Sequence, residues 1–176
     1  SQMNPLNIQQ LAHVPNSSLM VPSDLNDIWG WVDSAGNEYA IVGTNDGTSI
    51  FDLSDPANPY EALFVPGMNS IWRDVKTFGN YAYVTTEAYN GLLIIDLSNL
   101  PDSTNTNTYI YSGPSNNPWL RAHNIYIDDR GYAYIFGANR GLGGAIILDL
   151  NQDPTQPVEI ADINNWQVHD CLLYTS

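Results

Sequence analysis

The chain has 176 residues, of which 19 are acidic and 5 are basic, so its formal net charge is −14 and its pI is about 4.1. Nucleic acids and anionic membranes are bound through an excess of lysine and arginine, so this composition argues against both as partners. Hydrophobic residues make up 43% of the chain, which is ample for a core, and no apolar run approaches the roughly 20 residues of a membrane span. Asn, Asp, Gly and Pro supply about a third of the residues, which favours short strands joined by turns.

Strand-forming runs bracketed by turn residues recur in three units along the chain. The first unit covers residues 26–66, with strands predicted over 28–32, 39–43, 49–53 and 60–65. The second unit covers 70–112, with strands predicted over 74–78, 81–84 and 92–97. The third unit covers 121–163, with strands predicted over 124–128, 132–135, 145–150 and 158–163. Asn-Asp-Gly at 45–47, Asn-Gly at 90–91 and Gly-Gly at 143–144 predict a tight hairpin turn in each unit.

The three units share one register. Tyr-Ala pairs begin at residues 39, 81 and 132, and Asp-Leu pairs begin at 52, 96 and 149. A four-stranded unit with a period of roughly 40–50 residues is typical of a β-propeller blade. We therefore predict an all-β fold, a partial β-propeller of three blades within residues 1–170. A closing outer strand is expected over 8–14, and a fourth blade begins at 165. Three blades cannot close a ring, so we expect a fragment that forms an open arc.

Two further expectations concern the third strands and the C-terminal tail. Blades are covered on both faces, so the third-strand side chains should be buried, namely Ile50, Leu53, Leu93, Ile95, Ile146 and Leu148. We interpret residues 171–176 as a non-native tail translated from a sequencing adapter, with an ordinary strand as the alternative. Under that interpretation the only cysteine, Cys171, is foreign, and neither disulfides nor thiol catalysis is expected.

Several short segments resemble one family. They are Trp-Gly-Trp at 29–31, Ser-Ile-Trp-Arg-Asp-Val at 70–75, Glu-Ala at 87–88, Ala-His-Asn-Ile at 122–125 and Val-His-Asp at 168–170. In this order they resemble the LVIVD-repeat, choice-of-anchor B proteins. The resemblance implies a β-propeller in a secreted or surface-anchored bacterial protein, with no established biochemical activity. The signal peptide and the anchor of such a protein are not expected within this segment.

Candidate site residues follow from aligning the units on their first strands. This alignment superposes triplets centred on residues 30, 73, 123 and 169, and first strands line the channel of a propeller. One mouth of the channel should then collect Arg73, Asp74, His123, Asn124, His169 and Asp170, with Trp29 and Trp31 in the first blade. Convergent polar groups at such a mouth suggest a ligand site. The alternatives are hydrogen bonds between blades and a metal ion held by the histidines and carboxylates, which no local ligand spacing supports.

Strand alternation divides these residues into two rows. Arg73, His123 and His169 should face the channel, where they suit an anionic or polar ligand, while the Asp and Asn row should turn toward neighbouring blades. The leading hypothesis is an extracellular binding module without a cofactor, for an unidentified ligand or surface partner that is anionic or a carbohydrate. The alternative is a secreted hydrolase or lyase that uses His123, His169 and Asp74 around the axis.

Overall fold

The computed structural model describes residues 8–169, which form three four-stranded antiparallel sheets. The first sheet contains β1 (Leu25–Val32), β2 (Glu38–Thr44), β3 (Gly47–Asp52) and β4 (Tyr60–Pro66). The second contains β5 (Arg73–Phe78), β6 (Tyr81–Thr86), β7 (Leu92–Asp96) and β8 (Thr108–Tyr111). The third contains β9 (Asn124–Ile127), β10 (Tyr132–Phe136), β11 (Ala145–Asp149) and β12 (Val158–Ile163). Two short 3₁₀ turns, Asn16–Ser18 and Ser103–Asn105, are the only helical segments among these residues.

The sheets pack side by side as blades of a partial β-propeller. Within each sheet the strands follow chain order, and the first strands contact one another, β1 against β5 and β5 against β9. The first strand of each blade is therefore the innermost, as the predicted all-β propeller arc requires. We call the sheets blade 1, blade 2 and blade 3 in chain order. No helix among residues 8–169 is long and apolar enough to cross a membrane.

Apolar side chains fill the two interfaces between blades. Ile41 and Ile50 of blade 1 pack with Val75 and Ile95 of blade 2, and a second cluster joins blade 2 to blade 3. Five of the six third-strand residues predicted to be buried are no more than 8% exposed. The sixth, Leu53, is only partly buried, because it packs in a small cluster on the face of blade 1 that points away from blade 2.

The N-terminal segment departs from the prediction. Residues 8–14 form no strand, although a closing outer strand was expected there. None of the three described sheets takes up this segment as a further strand. Instead, Val14 and Leu19 pack on Val42 and Phe51, on the outer face of blade 1.

The predicted start of a fourth blade also forms no strand over residues 165–169. That segment returns along blade 3, where the Val168 amide donates to the Gly143 carbonyl at 3.0 Å. Asp170 and the proposed adapter tail, 171–176, lie outside the described residues.

The loop between the second and third strands becomes longer from blade 1 to blade 3. It comprises two residues in blade 1 (45–46), five in blade 2 (87–91) and eight in blade 3 (137–144). Only the first is a tight hairpin turn, so the turns predicted at 90–91 and 143–144 are parts of longer loops. These loops, with the segments 67–72, 112–123 and 164–169, lie at the end of the blades where the inner strands begin. We call this end the entry rim, and the opposite end the turn rim.

Two aspartates join the inner strands of successive blades. Asp27 of β1 accepts a hydrogen bond from the Val75 amide of β5 at 2.8 Å. Asp74 of β5 accepts one from the Ile125 amide of β9 at 2.9 Å. Asp74 thus makes the inter-blade hydrogen bond that its row was expected to make. Its burial raises its pKa above the ordinary value, although Lys76 binds the same carboxylate at 2.6 Å.

This raised pKa gives Asp74→Asn a distinctive pH dependence. A raised native pKa contributes stability below the unfolded value of about 4, and that contribution is lost as pH rises through the native pKa. Asn keeps an acceptor for Ile125 but does not titrate. We therefore expect the free energy of unfolding of Asp74→Asn, relative to wild type, to improve between about pH 3 and pH 7 in urea titrations.

Asp102→Asn is the matched control. The hydrogen bond from Thr104 lowers the pKa of Asp102, so its contribution is present above the unfolded pKa and is lost as pH falls. The relative stability of Asp102→Asn should therefore change in the opposite direction. The same trend in both variants would contradict the assignment of Asp74 as the buried carboxylate between the blades.

Candidate functional site

Arg73 is committed to the contact between blades 1 and 2. Its side chain is buried, and Nε donates to the carbonyls of Thr44 at 2.8 Å and Gly47 at 2.9 Å. The Nη atoms donate to the Asn45 and Met68 carbonyls and to the hydroxyl of Thr86. The prediction of an open, channel-facing anion ligand at Arg73 is therefore wrong. Side chains stand perpendicular to a sheet, and the faces of a blade oppose other blades rather than the channel.

Trp29 and Trp31 also serve the interface between blades 1 and 2. The indole of Trp31 is buried and donates to the Gly79 carbonyl at 2.9 Å. The indole of Trp29 donates to Thr77 at 3.1 Å, and the Lys76 ammonium lies 4.5 Å from its ring centre. These contacts are structural, and they place both rings against blade 2.

The first blade has a different register from the one predicted. Because Asp27 and Asp74 make equivalent bonds, the residue that corresponds to Arg73 is Asn26, not Gly30. The β1–β2 loop covers 33–37, whereas the β5–β6 loop covers only 79–80, so the first strand of blade 1 lies further from its Tyr-Ala pair than the first strand of blade 2 does from its own. Sequence analysis missed Asp27 for this reason.

The two predicted histidines do meet. His123, directly before β9, is 9% exposed, and its Nδ1 lies 2.8 Å from Oε1 of Glu87 in the preceding blade. One ring contact of His123 is a stack on Trp72, with centroids 4.4 Å apart and planes 14° apart. Another is with His169, whose ring centroid lies 3.8 Å away. Three chain segments thus fix the His123 imidazole.

Asp74 and Asn124 do not join this cluster. The carboxylate of Asp74 is occupied by Lys76 and by the Ile125 amide. Asn124 belongs to β9, where it pairs with Phe136.

A cavity of about 330 Å³ opens beside the histidines. Its polar lining consists of Glu87, Arg121, His123, Asn139, Gln167 and His169. Most of one wall is the 137–144 loop, and Gly137 lets that loop approach closely, since a Cβ there would lie 2.8 Å from the Cβ of His123. Gly137 also has a φ of +65°, a conformation that side chains other than glycine rarely adopt.

Sequence analysis missed the carboxylate of this cavity. Glu87 directly follows Thr86 at the end of β6, just as Asn45 follows Thr44 at the end of β2. That shared Thr-polar register is the signal that could have identified Glu87. The 137–144 wall had no such signal, because loops of unequal length break the repeat.

Arg140 anchors the 137–144 loop, which forms this wall, to the outer strand of blade 3. Its guanidinium is buried and reaches Glu159 at 2.7 Å and Asp162 at 3.0 Å on the outer strand β12. It also donates to the Asn117 carbonyl at 2.8 Å. The loop is therefore tied to the body of the blade, which gives the cavity a fixed shape.

No three His, Cys, Asp or Glu side chains within 8–169 are arranged to hold a metal ion. The metal alternative therefore gains no support from this part of the chain.

The anchor makes a testable contribution to stability. Replacing Arg140 by Gln leaves two carboxylates without their cation, and breaking one side of a buried ion pair costs about 3 kcal/mol. We expect a loss of that order in the free energy of unfolding, with faster hydrogen exchange in the 137–144 loop. Arg130→Gln is the control, because its ion pair with Asp128 involves a side chain that is 68% exposed. Equal effects of the two substitutions would rule out the anchoring role.

Comparison with protein families matches residues 34–65 and 71–107 to the LVIVD repeat. The first match spans β2 to β4 of blade 1, and the second spans β5 to β7 of blade 2. Comparison with curated proteins gives no match, and comparison with solved structures gives none either. The chain therefore carries two LVIVD repeats, which supply strands of its first two propeller blades.

Proposed function

We propose that this propeller arc is a binding module whose ligand site is the cavity beside Glu87, His123 and His169. The observation that supports the proposal is convergence. Polar side chains from the 87–91 loop, the segment before β9, the 137–144 loop and the segment after β12 all line one cavity. Concave sites with a few convergent polar groups are the usual places where proteins bind ligands.

The groups in the cavity suit recognition by hydrogen bonding. The side chain of Glu87 is 49% exposed, so its carboxylate is accessible as an acceptor. Asn139 Oδ1 already accepts hydrogen bonds from the amides of Leu120 and Arg121. The Asn139 side chain would therefore use its amide nitrogen, as a donor, to bind a ligand. Because Arg140 and Gly137 hold the wall in place, little ordering cost should remain for the ligand to offset.

We propose further that the protein acts outside the bacterial cell, as a choice-of-anchor B protein. The residue-level resemblance at 70–75, 122–125 and 168–170 supports this designation. The net charge of −14 is compatible with it, since a large charge of one sign keeps a protein soluble. The proposal includes neither a nucleic acid partner nor a cofactor.

A second candidate is catalysis of the hydrolase or lyase type. The hydrogen-bonded pair of Glu87 and His123 is the observation in its favour, because a carboxylate that orients an imidazole is a common acid–base arrangement. Asp74 has no part in this candidate, since its carboxylate is occupied between the blades.

Titration calorimetry with a defined panel tests the binding role. The panel contains methyl glycosides, uronic acids, N-acetyl amino acids and short synthetic peptides. We expect at least one class to bind, and Glu87→Gln to weaken it by about tenfold, as expected for a lost hydrogen bond to a charged group. Asp55→Asn, in a turn at the opposite rim, should leave affinity unchanged.

Unchanged ligand affinity in Glu87→Gln would contradict the placement of the ligand site in this cavity. Turnover of p-nitrophenyl esters or glycosides that disappears in His123→Ala would favour the enzymatic candidate instead.

A further inference from the structure

The entry rim carries a group of exposed apolar side chains. Its members share two features, since each lies in a loop or lead-in segment of that rim and each is between 40% and 76% exposed. We call them the rim patch, which consists of Met68, Ile71, Trp72, Tyr89, Leu120, Leu142 and Trp166. Exposed apolar residues scattered singly need no explanation, whereas a contiguous group is typical of an interaction surface.

Contacts on the blade 2 side connect the rim patch to the cavity. Trp72 follows Ile71 and stacks on His123, which lines the cavity. The Met68 carbonyl accepts from Arg73 at 2.6 Å, which holds the segment before Trp72 against the blades.

Contacts on the blade 3 side also link the rim patch to the cavity. The Leu120 carbonyl accepts from the amides of Asn90 and Gly91, so Leu120 lies against the loop that carries Tyr89. The Arg121 guanidinium lies 5.4 Å from the centre of the Tyr89 ring. Leu142 of the patch lines the cavity, and so does Arg121, so the patch lies beside a polar opening.

The turn rim has the opposite character. Within the described chain, its loops contain none of the large exposed hydrophobic residues. They contain instead aspartates that accept hydrogen bonds from their own loops, namely Asp33, Asp55, Asp102, Asp128 and Asp153. Among the loops that join the strands, large exposed apolar side chains therefore lie at the entry rim, whereas at the turn rim they occur at strand ends, as at Val32, Tyr60 and Val158.

We propose that the rim patch is a docking surface for another protein, whose contacting segment is apolar and places a basic side chain in the cavity beside Glu87. The inference rests on the proposed binding role of the same cavity and names the partner class. Met, Ile and Leu side chains offer no hydrogen bonds to a sugar, whereas apolar anchors around a pocket are the usual core of a protein interface.

Charge complementarity favours the basic side chain. The chain has 19 acidic residues against 5 basic ones, and Arg73 and Arg140 are buried in contacts within the protein. Arg121 is held over the Tyr89 ring, while the Glu87 carboxylate remains half exposed at the cavity. A positively charged segment is therefore attracted during approach and can pair with Glu87 after docking.

The test selects a random dodecapeptide library, displayed on phage, against the immobilised protein, and then measures synthetic copies of the enriched peptides by calorimetry. We expect apolar residues together with Lys or Arg to be enriched. Leu142→Ser should weaken binding by about tenfold, in line with the loss of an interface anchor. Glu87→Gln should weaken peptides that contain the basic residue more than versions with Gln in its place.

Val158→Ser is the matched control, because Val158 is 46% exposed but lies at the start of β12, at the other end of blade 3. Enrichment of acidic or uncharged peptides, no enrichment at all, or affinity unchanged by Leu142→Ser would overturn the docking proposal. A methyl glycoside that binds with full dependence on Glu87 and none on Leu142 would also overturn it, while the binding role of the cavity would stand.

Discussion

The arc depends on one hydrogen bond that is repeated between blades. Each inner strand pairs with a neighbour in its own sheet on one side only, so its other edge presents amides that need acceptors. Asp27 serves the Val75 amide, and Asp74 serves the Ile125 amide. Apolar packing between blades is non-directional, whereas these carboxylates fix one register of each inner strand against the next. The loops of the entry rim are therefore held in defined positions relative to one another.

The residue directly before this aspartate, which is an asparagine in blade 3, differs from blade to blade. That difference decides whether the residue has a structural role or lines the cavity. Blade 2 has Arg73 there, which clamps the hairpin loop of blade 1. Blade 3 has His123, which meets Glu87 in the longer loop of blade 2. The two-residue loop offers the Asn45 carbonyl to Arg73, whereas the five-residue loop offers the Glu87 side chain to His123. Loop length thus determines whether the contact is a buried clamp or the edge of a cavity.

Much of the fold could be predicted from sequence because turn residues and β-branched runs mark the strands locally. One exception is β8, Thr108–Tyr111, which follows a 3₁₀ turn rich in Asn and Thr and has only four residues. Others are the strands expected over 8–14 and from 165, which do not form among the described residues. The surface that a side chain faces was harder to predict than the strand to which it belongs. Arg73 was assigned to the right strand but to the wrong surface, because the faces of a blade oppose other blades. The meeting of His123 and His169 followed from the repeat, whereas Glu87 and the 137–144 wall depend on loop geometry that no repeat encodes.

We propose that this module meets its partner at the entry rim between blades 2 and 3. The chain contains three histidines, of which His123 and His169 line the cavity while His13 lies in the N-terminal segment. Labelling histidine with ¹³C therefore gives three NMR signals, two from the site and one, that of His13, which serves as an internal control. On addition of a peptide enriched by selection, we expect shifts of the His123 and His169 signals and none of the His13 signal. A shift of His13 alone, or binding that leaves His123 and His169 unmoved, would contradict this proposal.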